Sequence, residues 1–244
     1  MPGGGAIRAI LVLMTDVVQG PDQPAAVLFD MDGTLLDSER VWDIGLRELA
    51  RSYGGELSDP ARLAMVGGSM DSSMEILHAD IDQPWRDGDE SAAWLIRRMA
   101  ELYQTELRWR PGARELLAAT RDAGIPTALV TNTGRFLVDI ALDVLGLRTW
   151  FDAVVCGDEV TAGKPDPEPY LMAARLLGAP SSRCVAIEDS PVGVTSALAA
   201  GAAVIAVPHD AAVAPRRGVH IVDSLTDVDL PLLAALASRS VPTP

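Results

Sequence analysis

The chain has little with which to build a disulfide framework or a zinc site. Its 244 residues include two cysteines, Cys156 and Cys184, with no CxxC spacing and no histidine beside either. Thiols in that pattern are expected to be reduced and partly buried, which fits a cytoplasmic protein. The three histidines, His78, His209 and His220, stand in no motif. No stretch approaches the roughly 20 apolar residues that cross a bilayer. Residues 7–18 are apolar but short and interrupted by Asp16, and with Arg8 as their one basic residue and no small-residue cleavage site they make a poor signal peptide. Positive charge is scarce as well: 20 Lys and Arg face 34 Asp and Glu, a net charge of −14. That balance argues against a broad basic face for nucleic acid or an anionic membrane. It leaves a small anionic substrate open, because a metal ion, one lysine and helix N-termini can form a local positive site inside an acidic protein.

What is present is a globular profile, 48% hydrophobic and 22% charged, long enough for one large domain or two smaller ones. Residues 1–24 are rich in Gly and Pro at both ends and read as an N-terminal extension; Met14 is a candidate alternative translation start. Residues 27–29 form a short apolar run flanked by turn chemistry, the signature of a buried parallel strand. Helical periodicity follows over 39–53, stopped by Gly54-Gly55, then a loop at 66–69, a short helix over 71–78 and a longer one over 89–107. No strand pattern interrupts this helical stretch. After Arg110-Pro111-Gly112 the pattern changes: helices over 113–123, 135–145, 168–177 and 192–200 alternate with strands over 126–130, 151–155, 184–187 and 203–207. A tail adds a strand at 220–222 and a helix from residue 230. Alternation of this kind specifies βαβ units, hence a doubly wound, mostly parallel sheet with a Rossmann-like core. The expected organisation is a core of 25–38 and 108–244 with a small α-helical domain, 39–107, inserted after the first strand.

Polar residues gather where strands end, which is where open α/β sheets hold ligands. Asp30 and Asp32 follow the first strand, and Gly33 lets the chain turn sharply away. Alone, this is equally a solvated Asp-Gly turn. Thr131-Asn132-Thr133-Gly134 follows the strand at 126–130 and can hold phosphoryl oxygens, or simply cap the next helix. In Gly163-Lys164-Pro165-Asp166-Pro167-Glu168-Pro169-Tyr170 three prolines stiffen the loop that presents Lys164. Glu188-Asp189-Ser190-Pro191 puts two more acids at a strand end, directly before a helix that opens on proline. If Asp30, Asp32, Glu188 and Asp189 converge, two unit charges about 4 Å apart repel by roughly 4 kcal/mol at an effective dielectric of 20. Protons or a cation must then be present, and oxygen-only ligands suit a hard divalent ion such as Mg²⁺.

The first of these runs, Asp30-Met31-Asp32-Gly33-Thr34, resembles the opening motif of the haloacid dehalogenase-like hydrolase superfamily, and the other three resemble its second, third and fourth motifs in order. The Gly-Lys-Pro-Asp-Pro context resembles the phosphoglycolate phosphatase and β-phosphoglucomutase branch, whose helical cap lies between the first and second motifs. The resemblance implies a phosphatase acting on a small phosphorylated metabolite. Asp30 would be the nucleophile that becomes an aspartyl-phosphate, and Asp32 the acid and base. Mg²⁺ would be held by Asp30, by Asp32 through its backbone carbonyl, by Asp189, and by Glu188 through water. Thr131, Asn132 and Lys164 would hold the phosphoryl group, and Gly67, Gly68 and Ser69 resemble the cap loop that touches substrate. Keeping Asp at position 32 favours phosphate esters over C–Cl or C–P cleavage. The β-phosphoglucomutases carry a histidine where Trp42 stands here, which favours hydrolysis over the mutase alternative. A catalytically idle binding member is the remaining alternative; such members lose acids that this chain keeps. Oligomeric state is left open by the sequence.

Overall fold

The structure is a computed structural model and describes residues 23–209 and 211–238. The expected N-terminal extension and the alternative start at Met14 therefore fall outside the described residues, apart from positions 23 and 24.

Six strands, all parallel to their neighbours, form one sheet: β1 (Ala26–Phe29), β2 (Thr127–Val130), β3 (Ala153–Val155), β4 (Cys184–Glu188), β5 (Ala203–Ala206) and β6 (Val219–Ile221), in the order β3-β2-β1-β4-β5-β6. β1 lies inside the sheet and is buried on both faces, so all four of its residues are apolar. In register, Phe29 sits between Leu129 and Ile187. The next residue of each strand falls at one edge, and this places Asp30, Val130 and Glu188 side by side. The chain order reverses direction between β1 and β4, the switch point where such sheets open a crevice.

Between β1 and β2 the chain forms α1 (Glu39–Ser52), α2 (Asp59–Ala64), α3 (Met70–Asp80), α4 (Gly88–Glu106) and α5 (Ala113–Asp122). The connections of the sheet carry α6 (Arg135–Val144), α7 (Glu168–Leu176) and α8 (Pro191–Ala199), and α9 (Leu230–Ala237) closes the described chain. The element over 59–64 was not expected from apolar periodicity, because it is short. Its signal lies in the cap: Ser58 Oγ accepts from Ala61 N at 3.3 Å and Pro60 occupies the first turn. The strand expected from 151 begins instead at Ala153, where Asp152 turns its carboxylate onto Thr127 N.

The two faces of the sheet bury separate cores. One holds Ala26, Leu28, Ala186 and Val204 against α7 and α8. The other runs from Val27, Phe29 and Ile187 through Met31, Leu35 and Leu36 into Val41, Leu49, Leu95 and Met99 of α1 and α4. The helices between β1 and β2 are thus joined to the sheet by continuous apolar packing beside the carboxyl end of β1.

Candidate active site

Lys164 is the chain's sole lysine among 20 Lys and Arg residues, and its side chain is only 4% exposed. An ammonium carries three protons, and all three are used: Nζ donates to Asp30 Oδ1 at 2.6 Å, to Glu188 Oε1 at 2.6 Å and to the Val130 carbonyl at 2.8 Å. A compact point donor fits among three acceptors at the ends of β1, β2 and β4 in a way that a planar guanidinium does not. Burial pulls the lysine's pKa down, but Asp30 and Glu188 together outweigh it and hold the amine above its ordinary value. The loop holding it is braced by Asn132, whose Oδ1 accepts from Lys164 N at 2.8 Å and whose Nδ2 donates to the Lys164 carbonyl at 3.1 Å. The same Nδ2 donates to the Gly67 carbonyl at 3.2 Å, so one amide ties the 66–69 loop to the lysine loop.

Asp30, Glu188 and Asp189 bring carboxylate oxygens within 4.8 Å of one another, all buried. Burial pushes the Asp30 carboxyl up first, and Glu188 adds to it, with Lys164 pulling the other way. Asp189 is likewise raised, by burial and then by Asp30 and Glu188. Glu188 is also held by Tyr170, whose hydroxyl donates at 2.5 Å to Oε1, the oxygen that accepts from Lys164; burial and Glu188 keep that phenol protonated and so a donor. Asp30 Oδ2 is buried and has no hydrogen-bond partner. Three crowded hard-oxygen donors, one with an unmade bond, fit a divalent cation of the Mg²⁺ type. Two glycines let backbone approach this cluster. A Cβ on Gly33, at φ +78°, would stand 2.2 Å from Asp189 Oδ2, and one on Gly193 would stand 2.0 Å from the Glu188 carboxylate.

Asp32 lies outside that acid group. Its Oδ1 accepts from Ser38 Oγ at 2.7 Å, Trp42 Nε1 at 3.2 Å and Tyr103 OH at 3.4 Å; its Oδ2 accepts from Thr131 Oγ1 at 3.0 Å and Thr133 Oγ1 at 2.8 Å. One carboxylate thus joins α1 and α4 to the end of β2. Burial and the Asp32 charge raise the Tyr103 phenol well above its ordinary value, so it stays a donor. Ser38, Trp42, Tyr103, Thr133 and Tyr170 were not read as polar partners from sequence. Tyr103 and Trp42 sit on apolar helix faces, where periodicity reads them as packing; their polar atoms are what demands a partner.

A cavity of about 460 Å³ is lined by Asp30, Asp32, Thr131, Asn132, Lys164 and Asp189 from the sheet side and by Gly67, Gly68 and Ser69 from the 66–69 loop. Gly67, at φ +72°, runs close to Ser190, and a Cβ there would meet Ser190 Oγ at 3.2 Å. Ser69 caps α3, accepting from Ser72 N at 3.2 Å. Glu188 is fully buried and outside the lining, in contact with Lys164 Nζ through its Oε1.

The family model described as haloacid dehalogenase-like hydrolase matches residues 24–201. Hexitol phosphatase B of Escherichia coli (strain K12) is 31% identical over 224 residues, which cover 91% of this chain and 98% of the relative. The crystal structure of CbbY from Rhodobacter sphaeroides in complex with phosphate superposes with a TM-score of 0.74 at 28% identity, covering 84% of this chain and 96% of that one. β-Phosphoglucomutase from Clostridium difficile shares the fold, with a TM-score of 0.75 at 20% identity over 88% of this chain and 97% of that one.

Proposed function

This chain belongs to the haloacid dehalogenase-like hydrolase family, and from that premise we propose that it is a phosphatase whose nucleophile is Asp30 and whose acid and base is Asp32. The observation that carries the reading is the division of labour at Asp30, a residue of the cavity lining: Lys164 fixes Oδ1, while Oδ2 has no partner. The Asp30 carboxylate attacks phosphorus; a P–O bond forms as the bond to the leaving oxygen breaks, and Asp32 gives that oxygen a proton. Water then attacks the aspartyl-phosphate, Asp32 takes the water's proton, and the Asp30 carboxylate is released with phosphate. Throughout, Lys164 neutralises Asp30 and the phosphoryl oxygens, and Thr131 and Thr133 hold Asp32. Asn132 keeps the Lys164 loop in place. Mg²⁺ is the cofactor we assign, held by Asp30, Asp189, the Asp32 backbone carbonyl and, less directly, Glu188; when bound it offsets the charge that builds on the transferring phosphoryl group.

We read 39–107 as a helical cap whose 66–69 loop closes the substrate side, and the substrate as a small phosphorylated sugar or polyol, in keeping with the names of the relatives. The two buried, unbridged thiols support a cytoplasmic setting. Against the mutase alternative stands the Trp42 indole, which donates to Asp32 but has no titratable proton to shuttle. The test is Mg²⁺-dependent phosphate release across a panel of small phosphomonoesters. Release that disappears in Asp30→Asn supports the reading. Full turnover by Asp30→Asn refutes the nucleophile, and isomerisation of a hexose 1-phosphate on adding a bisphosphate replaces hydrolysis with the mutase reaction.

A further inference from the structure

We infer that the leaving group of the substrate is uncharged: the cavity serves the one reacting phosphate and refuses a second anion, whether carboxylate or phosphate. The inference rests on the hydrolase reading above and concerns the wall opposite Asp30.

Among the described residues, two cationic side chains line the cavity, Lys164 and Arg62. Lys164 has all three protons committed and faces the reacting phosphate. Arg62, on α2, is matched by the acid beside it: its Nη2 donates to Glu39 Oε2 at 2.6 Å and to the Glu39 carbonyl at 3.0 Å, and its side chain is 9% exposed. Its Nε is buried without a hydrogen-bond partner and stands 3.6 Å from Asp43 Oδ1, a second acid that offsets its charge. At the rim, Arg135 follows Gly134 of the lining but turns onto Glu159, at 2.6 Å. Among the described residues, each cation of the lining therefore has acids against it that offset its charge, Glu39 and Asp43 for Arg62, Asp30 and Glu188 for Lys164.

Helix N-termini are the other source of positive potential, and here the protein's own groups fill them. At α3, Ser69 accepts from Ser72 N and Asp71 stands in the first turn. At α6, both oxygens of Asp158 accept from Arg135 N, at 3.0 and 3.2 Å. Asp71 in the first turn of α3, and Asp158 set against the N-terminus of α6 from another segment, already offset those helix dipoles. Asp71 and Asp158 themselves line the cavity, so a distal anion would meet like charge. The lining also carries an apolar group that includes Trp42, Leu46, Met65, Met70, Leu95 and Ile96, with Ser69 and Ser73 as uncharged polar neighbours. Such a surface suits the C–H faces of a neutral carbon skeleton.

The experiment uses pairs that differ in one anionic group, a carboxylate or a phosphate: glycerol 3-phosphate against 3-phosphoglycerate, and fructose 1-phosphate against fructose 1,6-bisphosphate. Initial phosphate release is measured with Mg²⁺ on the full chain, with Asp30→Asn as blank and p-nitrophenyl phosphate as a generic ester. The expected result is a kcat/KM at least tenfold higher for the neutral member of each pair. Asp30-dependent release that is equal or faster with the anionic members overturns the inference and leaves the hydrolase reading standing. No Asp30-dependent release from any ester, the generic one included, overturns the hydrolase reading and the inference with it. Met70→Lys places a cation on the wall and should raise the anionic-to-neutral ratio several-fold; a ratio that does not move shows that this wall does not set the charge preference, which also overturns the inference.

Discussion

Replacing Lys164 with methionine keeps the length of the side chain and removes its charge, and the structure sets the cost. Asp30 Oδ1 and Glu188 Oε1 each lie 2.6 Å from Nζ, so they are no more than about 5 Å apart once the nitrogen is gone. At that distance and an effective dielectric of 20, two unit charges repel by about 3 kcal/mol. Breaking a buried ion pair on one side costs about 3–5 kcal/mol by mutational experience, so the two routes agree. For a chain of this size each kcal/mol moves Tm by about 2–4 °C, which predicts a fall of roughly 6–20 °C. The assay is thermal unfolding in EDTA at pH 8, repeated with Mg²⁺, where the variant should regain part of the loss. The pH dependence has a definite sign. Asp30 has its folded pKa raised from 3.8 to about 8 by burial and Glu188; between those two values the native state binds more protons, so stability falls as pH rises. Acidification from pH 8 towards 6 in EDTA should therefore raise the Asp30 contribution to stability in both proteins, as a proton replaces charge in the acid cluster. A Tm within about 2 °C of wild type in EDTA at pH 8 refutes the reasoning, since no comparable surface change is worth more. Lys164→Arg keeps the charge but overfills a packed site, and should lose about 1–3 kcal/mol together with activity.

Trp42→Phe keeps the ring and deletes the donor to Asp32; kcat should fall about tenfold, the worth of one hydrogen bond to a charged group, with KM nearly unchanged and the pH profile of kcat displaced. His78 is buried against Tyr53 and Ser91, and burial followed by the Arg86 charge lowers its pKa below 6.5. The unfolded state then binds the proton more readily, so this histidine lowers stability as pH falls below about 6.5, opposite in sign to Asp30; the Tm of wild type relative to His78→Gln should therefore fall over that range. Burial pushes both thiols up to about 12, so a thiol reagent at pH 8 should label neither Cys156 nor Cys184 in the folded protein and both in denaturant; fast labelling of either contradicts the packing. Gly193→Ala puts a methyl into the Glu188 carboxylate and should cost about 1–3 kcal/mol in thermal or urea unfolding.

Much of the fold was legible because the physical signals are local. The all-apolar run at 26–29, the alternation after residue 110 and the acids at strand ends need no knowledge of distant residues to be read. The short helix over 59–64 was missed because six residues give too little periodicity, although its Ser-Asp-Pro start was in view. The sole lysine was also in view: in a chain that otherwise uses arginine for side-chain positive charge, one lysine marks a place where a compact, three-proton donor is required.

The sequence by itself determined the doubly wound sheet, the helical insertion and the acids available for phosphate chemistry, since periodicity and strand-end polarity are properties of short segments. Only the tertiary structure decided how those acids divide. Asp30, Glu188 and Asp189 crowd together around Lys164, while Asp32 turns to Ser38, Trp42, Tyr103, Thr131 and Thr133. The reason is that a hydrogen bond between residues 71 or 101 positions apart is set by packing and register, which no local pattern encodes.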